Sequence, residues 1–343
     1  MSDFNLPSSG ALFSINLTNF RSYSSARFEF NPGVNFICAP NGSGKTNLLE
    51  AVSLLSPGRG LRKANSAEMI KKGNDFFSIS AQLLDNSLTI NYFAGQKSFS
   101  WNGGKISGLE LIEEIGIFWL TPQIIFNFWK EPKVRRDFID RIVANFIPNH
   151  LYHCAKYESI RSNRKKLIRS GYQNKAAYES IEKILAEEGI NIIKNRKKVI
   201  EQLNEHMNEY KVFLIGAAEE CSLEDLRSNW LMDLEKSRFE QKGKFGTHNT
   251  NIVIEKDDLI SSQASTGQQH MMIINLVLIS FIQLKQQFRI LLLDDILSHL
   301  DPQNQSKTLN YINSQTPDAY VLISDTHLPE VDFPFNKIKL NNT

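Results

Sequence analysis

The sequence predicts an α/β fold built around a phosphate-binding loop, with an antiparallel β subdomain and an inserted helical arm. Three observations carry that prediction. Residues 34–38 form an apolar, strand-like run that leads into Ala39, Pro40, Asn41, Gly42, Ser43, Gly44, Lys45 and Thr46, and then into a helical run with Leu48, Leu49, Val52 and Leu55 on one face. A second apolar run, 289–293, ends in the carboxylates of Asp294 and Asp295 about 250 residues later. Between them lie first stretches of period two, then proline-free stretches of helical period.

Near the start of the chain, Phe13, Ile15 and Leu17 alternate with polar residues, and residues 19–23 turn toward Phe28 and Phe30, which reads as a β-hairpin. Residues 34–38 are the strand that delivers the loop. Its glycines let backbone N–H groups turn inward on a phosphate, Lys45 supplies charge to the β- and γ-phosphates, and Thr46 is a ligand for Mg2+ at a helix N-terminus. One position departs from the usual pattern, because Ala39 stands where the first glycine is expected. Alanine is tolerated there unless φ must be positive. Residues 77–83, 88–92 and 99–101 then alternate in period two, with Asn102-Gly103-Gly104 as a turn, and imply an antiparallel subdomain. Residues 117–120 are expected to return to the core sheet, with Thr121-Pro122-Gln123 starting the crossing into the arm.

The arm, expected over 125–211, carries the basic residues. From 150 to 211 there are thirteen Lys and Arg against eight Asp and Glu, although the whole chain has a net charge of only +2. Two clusters stand out: Arg161, Arg164, Lys165, Lys166 and Arg169, and Lys194, Arg196, Lys197 and Lys198. Both lie among apolar residues at helical spacing (Ile181, Ile184, Leu185; Ile192, Ile193, Val199, Ile200, Leu203), so two or three long antiparallel helices are predicted. A solvated helix face explains such charge, and so does a surface for nucleic-acid phosphates. The sequence leaves both open.

In 289–295 an apolar strand ends in two acids, of which Asp294 suits a metal held through its water shell and Asp295 a general base for an attacking water. About 30 residues earlier, Ser265-Thr266-Gly267-Gln268-Gln269 opens an apolar helical run. That placement resembles the signature of ABC-type ATPases. The resemblance implies an ABC-type P-loop ATPase head (1–124 and 212–343) in which Ser265, Gly267 and Gln268 complete the ATP site of a second head in trans. A plain helix N-cap at Ser265 or Thr266 accounts for the same residues. Ser298-His299-Leu300-Asp301 fits the loop that contacts the partner head in that superfamily, and Gln123 its Q-loop.

Composition adds exclusions. No apolar stretch approaches the roughly 20 residues that a membrane helix needs. The N-terminus has no basic flank before an apolar core, so no signal peptide is expected, and Cys38, Cys154 and Cys221 have neither metal-ligand nor disulfide spacing. A reducing cytoplasm is the expected setting.

Taken together, residues 19–23, 39–51, Gly58-Arg59-Gly60-Leu61-Arg62, 135–141, 265–269 and 291–301 resemble the RecF family of recombination-repair ATPases, which are related to the SMC heads. The resemblance spans nearly the whole chain. It implies an ATP-dependent homodimer that clamps DNA at single-stranded or gapped sites and works with RecR and RecO to help load RecA on strands coated by SSB. It also implies ATP and Mg2+ as ligands, with residues 39–46 binding phosphate, Thr46 and Asp294 holding the metal, and Lys45 and Asp295 promoting hydrolysis. Arg59, Arg62, Arg164, Lys165, Lys166, Lys197 and Lys198 are the expected DNA contacts, with nucleotide-linked roles open for the first two. Two features depart from the family pattern. Gly246-Thr247-His248-Asn249-Thr250-Asn251 keeps only the glycine and histidine of a Gly-Pro-His-Arg-Asp-like stretch, and either Asp325 or His327 stands near the switch position. The rival readings are an ABC-type subunit of a transporter or defence system, and a DNA-binding protein with a vestigial ATPase. The arm's length and basic character speak against a transporter subunit, and the roughly 40 residues after Asp301 against an appended nuclease.

Overall fold

The period-two alternation at the start of the chain becomes β1 (Phe13–Phe20) and β2 (Tyr23–Phe30), with Phe13, Ile15, Leu17 and Phe30 fully or almost fully buried. The computed structural model describes residues 13–170, 174–207, 209–216, 218–219, 228, 232, 246–256, 259–260 and 264–340, so Cys221 and the extreme N-terminus lie outside the described residues. The chain divides into two compact units, Met1–Pro122 with Phe281–Thr343, and Gln123–Ser280.

In the first unit, β1 and β2 continue into β3 (Gly33–Cys38), the phosphate loop and α1 (Lys45–Ser53). Then come β4 (Phe76–Leu83), β5 (Asn86–Phe93), β6 (Gln96–Trp101), β7 (Gly104–Lys105), α2 (Gly108–Glu114) and β8 (Ile115–Leu120). The antiparallel sheet has the order β2-β1-β4-β5-β6-β7. Asn102 (φ 50°) and Gly103 (φ 81°) make the tight turn between β6 and β7 that the Asn-Gly pair predicts. α2 is closed by a capping box, Ser107 accepting from the Glu110 N–H while Glu110 accepts from the Ser107 N–H.

The rest of this unit is a parallel sheet completed by β12 (Phe288–Asp294), β13 (Tyr320–Asp325) and β14 (Asn336–Ile338), with α8 (Pro302–Gln315) between β12 and β13. Its order is β14-β3-β13-β12-β8. All six residues of β8 and of β13 are buried, as expected of strands covered on both faces. The register pairs Asp294 with Ser324 and Asp325 with Cys38, so the ends of β3, β13 and β12 lie side by side. Ligands of parallel sheets bind outside such carboxyl ends. Phe13 touches Phe30, Phe288 and Tyr320 at centroid distances of 4.8–5.4 Å, which ties the antiparallel sheet to the parallel one.

The second unit begins with α3 (Pro122–Lys130), α4 (Pro132–Phe146), α5 (His150–Arg169) and α6 (Lys175–His206). Pro132 starts α4, where a missing N–H costs nothing, and the Asn174 side chain caps α6 by accepting from the Ala177 N–H at 3.1 Å. At 32 residues, α6 is about 48 Å long. Its apolar stripe is buried from Leu185 through Ile192, Ile193, Val199 and Ile200 to Leu203. β9 (Lys211–Ile215), β10 (Asn251–Lys256) and β11 (Leu259–Ile260) form a small antiparallel sheet, and α7 (Thr266–Ile282) follows. The second unit therefore runs past 211, the end expected for the arm. The reason is tertiary: β10 packs on α4, and the Asn204 side chain of α6 bonds both the N–H and the C=O of Val212 in β9 at 2.8 Å.

A charge network fastens the helices of this unit. Arg196 on α6 grips Asp140 on α4 with two bonds of 2.7 and 2.9 Å, and donates to the Thr247 carbonyl and the Thr250 hydroxyl at 3.1 Å. His150 on α5 reaches the same carboxylate at 3.0 Å. Burial alone would raise the Asp140 pKa, but Arg196 and His150 hold it well below the ordinary value. Such a carboxylate contributes its stability in full above the unfolded-state value of about 3.9 and loses it as pH falls below that. Arg196→Met leaves Asp140 without its guanidinium, at an expected cost of about 3–5 kcal/mol. Denaturant unfolding of the variant should show that loss at pH 7, with a smaller difference from wild type at pH 3.

Candidate functional site

The loop between β3 and α1 takes its shape from two glycines. Gly42 (φ 80°) and Gly44 (φ 100°) are left-handed, and a Cβ on Gly44 would stand 2.7 Å from the Tyr23 hydroxyl oxygen. Ala39 is absent from the positive-φ residues, so the missing first glycine costs the loop nothing. Lys45 is buried in the loop, its Nζ donating to the carbonyls of Ala39 and, at 3.1 Å, of Pro40. From α1, the Thr46 hydroxyl donates to Asp294 Oδ1 at 3.1 Å, and Ser324 Oγ donates to the same oxygen at 2.6 Å. Burial pushes the Asp294 carboxyl up, against the bonds from Ser324 and Thr46 and the charge of Arg62. A bound dication would reverse that shift.

Asp295 sits in the left-handed region at φ 53°, a strained position for a residue other than glycine. Its N–H donates to the Ser324 carbonyl at 3.0 Å, and Ser298 Oγ donates to its carboxylate at 3.2 Å. The turn aims a second carboxylate at the mouth of a cleft of about 170 Å3, lined by residues 41–47, Arg62, Asp294 and Asp295. Ser43 Oγ is buried there with no hydrogen-bond partner among the described residues. Two left-handed glycines, a buried ammonium, a buried hydroxyl and an adjoining hydroxyl–carboxylate pair fit a nucleotide polyphosphate with its Mg2+. Thr46 and Asp294 are the residues that would hold the metal.

The structure also gives a role to residues that sequence reading used only as markers. Glu50, fully buried on α1, is gripped by Arg21 through bonds of 2.8 and 2.7 Å and touched by Arg62 at 3.3 Å. Ser22 accepts from Asn47 at 3.0 Å, and the Tyr23 hydroxyl donates to the Gly44 carbonyl at 3.1 Å. The turn after β1 thus braces the loop and its helix. The available signal was an acid inside the apolar face formed by Leu48, Leu49, Ala51 and Val52. Arg62, bonded to Asn47 Oδ1 at 2.8 Å, is brought to the nucleotide cleft, whereas Arg59 is exposed nearby in sequence.

The other predicted residues lie elsewhere. Ser265 caps α7, accepting from the Gln268 N–H at 3.3 Å while the Gln268 side chain accepts from the Ser265 N–H at 2.8 Å, and Thr266, Gly267 and Gln268 are exposed. The N-cap reading of this string is the one this geometry shows. Gln123 is exposed in the first turn of α3. Asp325 is buried, with its carboxylate accepting from the Thr326 N–H at 2.6 Å, while His327 is exposed. Among the arm cations, Lys165, Lys166 and Lys198 are exposed and Lys197 is half-buried. Arg164 is a correction: it is buried against Glu182 at 3.0 Å and joins α5 to α6 instead of facing DNA.

Residues 11–105 match the family described as RecF/RecN/SMC N terminal domain. Over 358 aligned positions the chain is 30% identical to the DNA replication and repair protein RecF of Rickettsia canadensis (strain McKiel), covering 96% of this chain and 98% of that protein. The chain belongs to the RecF family. A RecF of Rickettsia bellii (strain OSU 85-389) is also 30% identical, over 92% of this chain and 94% of its own. The solved structure of the recombination mediator protein RecF-ATPrS in the RecFOR pathway superposes with a TM-score of 0.82 at 25% identity, over 96% of each chain. RecF-ATP in the same pathway gives 0.79 at 25% identity, over 99% of this chain and 98% of that one. An Smc head from Pyrococcus furiosus, bound to the C-terminal domain of ScpA, shares the fold at a TM-score of 0.51 and 16% identity, over 93% and 90% of the two chains. The RecF-family chain is thus an ABC-type ATPase head with an inserted unit, and among the described residues no helix is long and apolar enough to cross a membrane.

Proposed function

We propose that this RecF-family chain is an ATP-gated clamp on DNA in recombinational repair. The observation that supports it best is the contact of Thr46 with Asp294, which joins the phosphate loop to the acidic strand in the order a hydrolytic P-loop site requires. Bound ATP with Mg2+ supplies the γ-phosphoryl electrophile. Lys45 and the loop N–H groups hold its phosphates, Thr46 and Asp294 orient the metal, and Asp295 accepts a proton from the attacking water. Ser265, Gly267 and Gln268 of a second copy close the site, so ATP is shared by two heads and dimerisation becomes a linked equilibrium. Hydrolysis removes the shared ligand and loosens the clamp. ATP·Mg2+ is the ligand, and hydrolysis is a slow, DNA-stimulated timer.

DNA binds the closed dimer best because both heads then present cations at once. Lys165, Lys166, Lys197 and Lys198, with Arg59, are the contacts proposed. Similar chains are described as RecF of the RecFOR pathway, and on that ground RecR and RecO are the proposed partners, acting to place RecA on SSB-coated strands at gaps. Fluorescence anisotropy of a gapped duplex, titrated with the chain across a salt series, tests the clamp. With ATP·Mg2+ the affinity should rise at least tenfold. If Arg59, Lys165, Lys166, Lys197 and Lys198 of each of two heads engage phosphates, log K should fall with log salt at a slope of about −9. Equal affinity with and without ATP, or a slope near zero, would overturn the proposal.

A further inference from the structure

Two stretches singled out by the sequence, 135–141 and 246–251, have no part in the nucleotide site. Within the second unit they meet. A cleft of about 370 Å3 is lined there by Arg136 and Asp140 of α4, Tyr157 and Arg161 of α5, Arg196 of α6, and His248. That volume falls in the range of small-ligand sites.

The charges in this cleft are not all spent. Arg196 and Asp140 form a closed pair at its floor, with Arg196 steadying the 247–250 turn. Arg136 is half-buried, and one Nη donates to the Thr250 carbonyl at 3.1 Å; the charges of Asp137, Asp140 and Glu158 act on it, but each of these carboxylates is itself bonded to another cation. Arg161 bonds Glu158 of its own helix at 2.8 Å, an exposed pair of the kind that exchanges at little cost. The remaining acid of the rim, Asp137, is already paired with Lys133 at 2.9 Å. His248 is buried deeply enough, and close enough to Arg161, Lys165 and Arg136, that its pKa falls to about 3. The ring is therefore neutral at physiological pH. Its Nδ1 lies 2.9 Å from the Tyr157 hydroxyl, and the tautomer in which that hydroxyl donates carries an N–H at Nε2. Gly246 makes that pairing possible, because at φ 138° a Cβ there would stand 2.8 Å from both His248 Nδ1 and the Tyr157 hydroxyl oxygen.

We propose that this cleft is a second phosphate-binding site, independent of the P-loop, in which Arg136, Arg161 and His248 hold a phosphate ester. Guanidinium forks match the tetrahedral oxygens of phosphate, and a neutral histidine donates without needing to be charged. The volume left beyond one phosphate accommodates the attached sugar of a nucleotide or of a DNA backbone.

The test uses the full chain carrying Lys45→Ala, which silences the P-loop, and calorimetric titration with inorganic phosphate, AMP and a short oligothymidylate without terminal phosphates. Saturable binding of at least one probe is expected, weakened about tenfold or more by Arg136→Gln and by Arg161→Gln. Arg161 stands at the rim, so its variant should keep the thermal melting profile of the parent and report on binding alone. Preference for AMP assigns the site to a free phosphate ester, and preference for the oligonucleotide assigns it to backbone phosphates. Absence of saturable binding of all three probes, or binding that both glutamine variants leave unchanged, would overturn the proposal.

Discussion

Lys45→Ala should weaken ATP binding at least about 30-fold and remove ATP-dependent dimerisation with it. The Lys45 ammonium is buried inside the loop and already satisfied by the carbonyls of Ala39 and Pro40, so it is positioned before any phosphate arrives. Truncating one partner of a desolvated, hydrogen-bonded charge pair costs about 2–5 kcal/mol, and the low end of that range sets the factor of 30. Stability should change far less, because α1 is anchored by Leu48, Leu49, Ala51 and Val52, all fully buried, and by the Glu50–Arg21 pair. Calorimetry with ATP·Mg2+ measures the affinity, and sedimentation of the same samples measures the mass. Since ATP acts on dimerisation only through differential binding, loss of one must carry loss of the other. A variant that still doubled its mass at wild-type ATP concentrations would show that the P-loop is not the link between nucleotide and assembly.

Local pattern made much of the head legible. The alternation at Phe13, Ile15 and Leu17, the Asn102-Gly103 turn and the apolar run into Asp294 each encode a strand or turn within a few residues, and the structure has β1, the β6–β7 turn and β12 there. The second unit was less readable. Val212 and Ile254 alternate as strands should, but only their packing against helices puts β9 and β10 in that unit instead of the head. The charge runs misled for a different reason. Arg164 and Arg196 sit at helical spacing from buried Tyr157 and from Ile192, Ile193, Val199 and Ile200, so they point inward with that stripe, toward Glu182 and Asp140. A count of cations takes no account of the face each occupies. Glu50 is the same case with the opposite sign, an acid on the buried face of α1 that needs Arg21 and Arg62 beside it.

Asp295→Asn should uncouple assembly from hydrolysis: the chain binds ATP, dimerises and stays dimeric, while turnover falls about 10²–10⁴-fold, the usual contribution of a general base. The substitution suits this position. Asn tolerates the left-handed backbone that Asp295 adopts at φ 53°, and its side-chain oxygen can still accept from Ser298, as the carboxylate does at 3.2 Å. What the amide cannot do is take a proton from water. Loss of this charge also relieves a repulsion that raises the Asp294 carboxyl, so metal holding at Thr46 and Asp294 should survive or improve. In the wild type, an aspartate reaches less far toward water than a glutamate would, which agrees with a timing role and a single-turnover rate below about 10 s⁻¹. Mass in solution with saturating ATP·Mg2+, followed over hours beside phosphate release, separates the outcomes. A persistent dimer with almost no release places the proton acceptor at Asp295. A variant that stayed monomeric under saturating ATP would sink the clamp itself, and one that dimerised but hydrolysed at the wild-type rate would move the base to another residue.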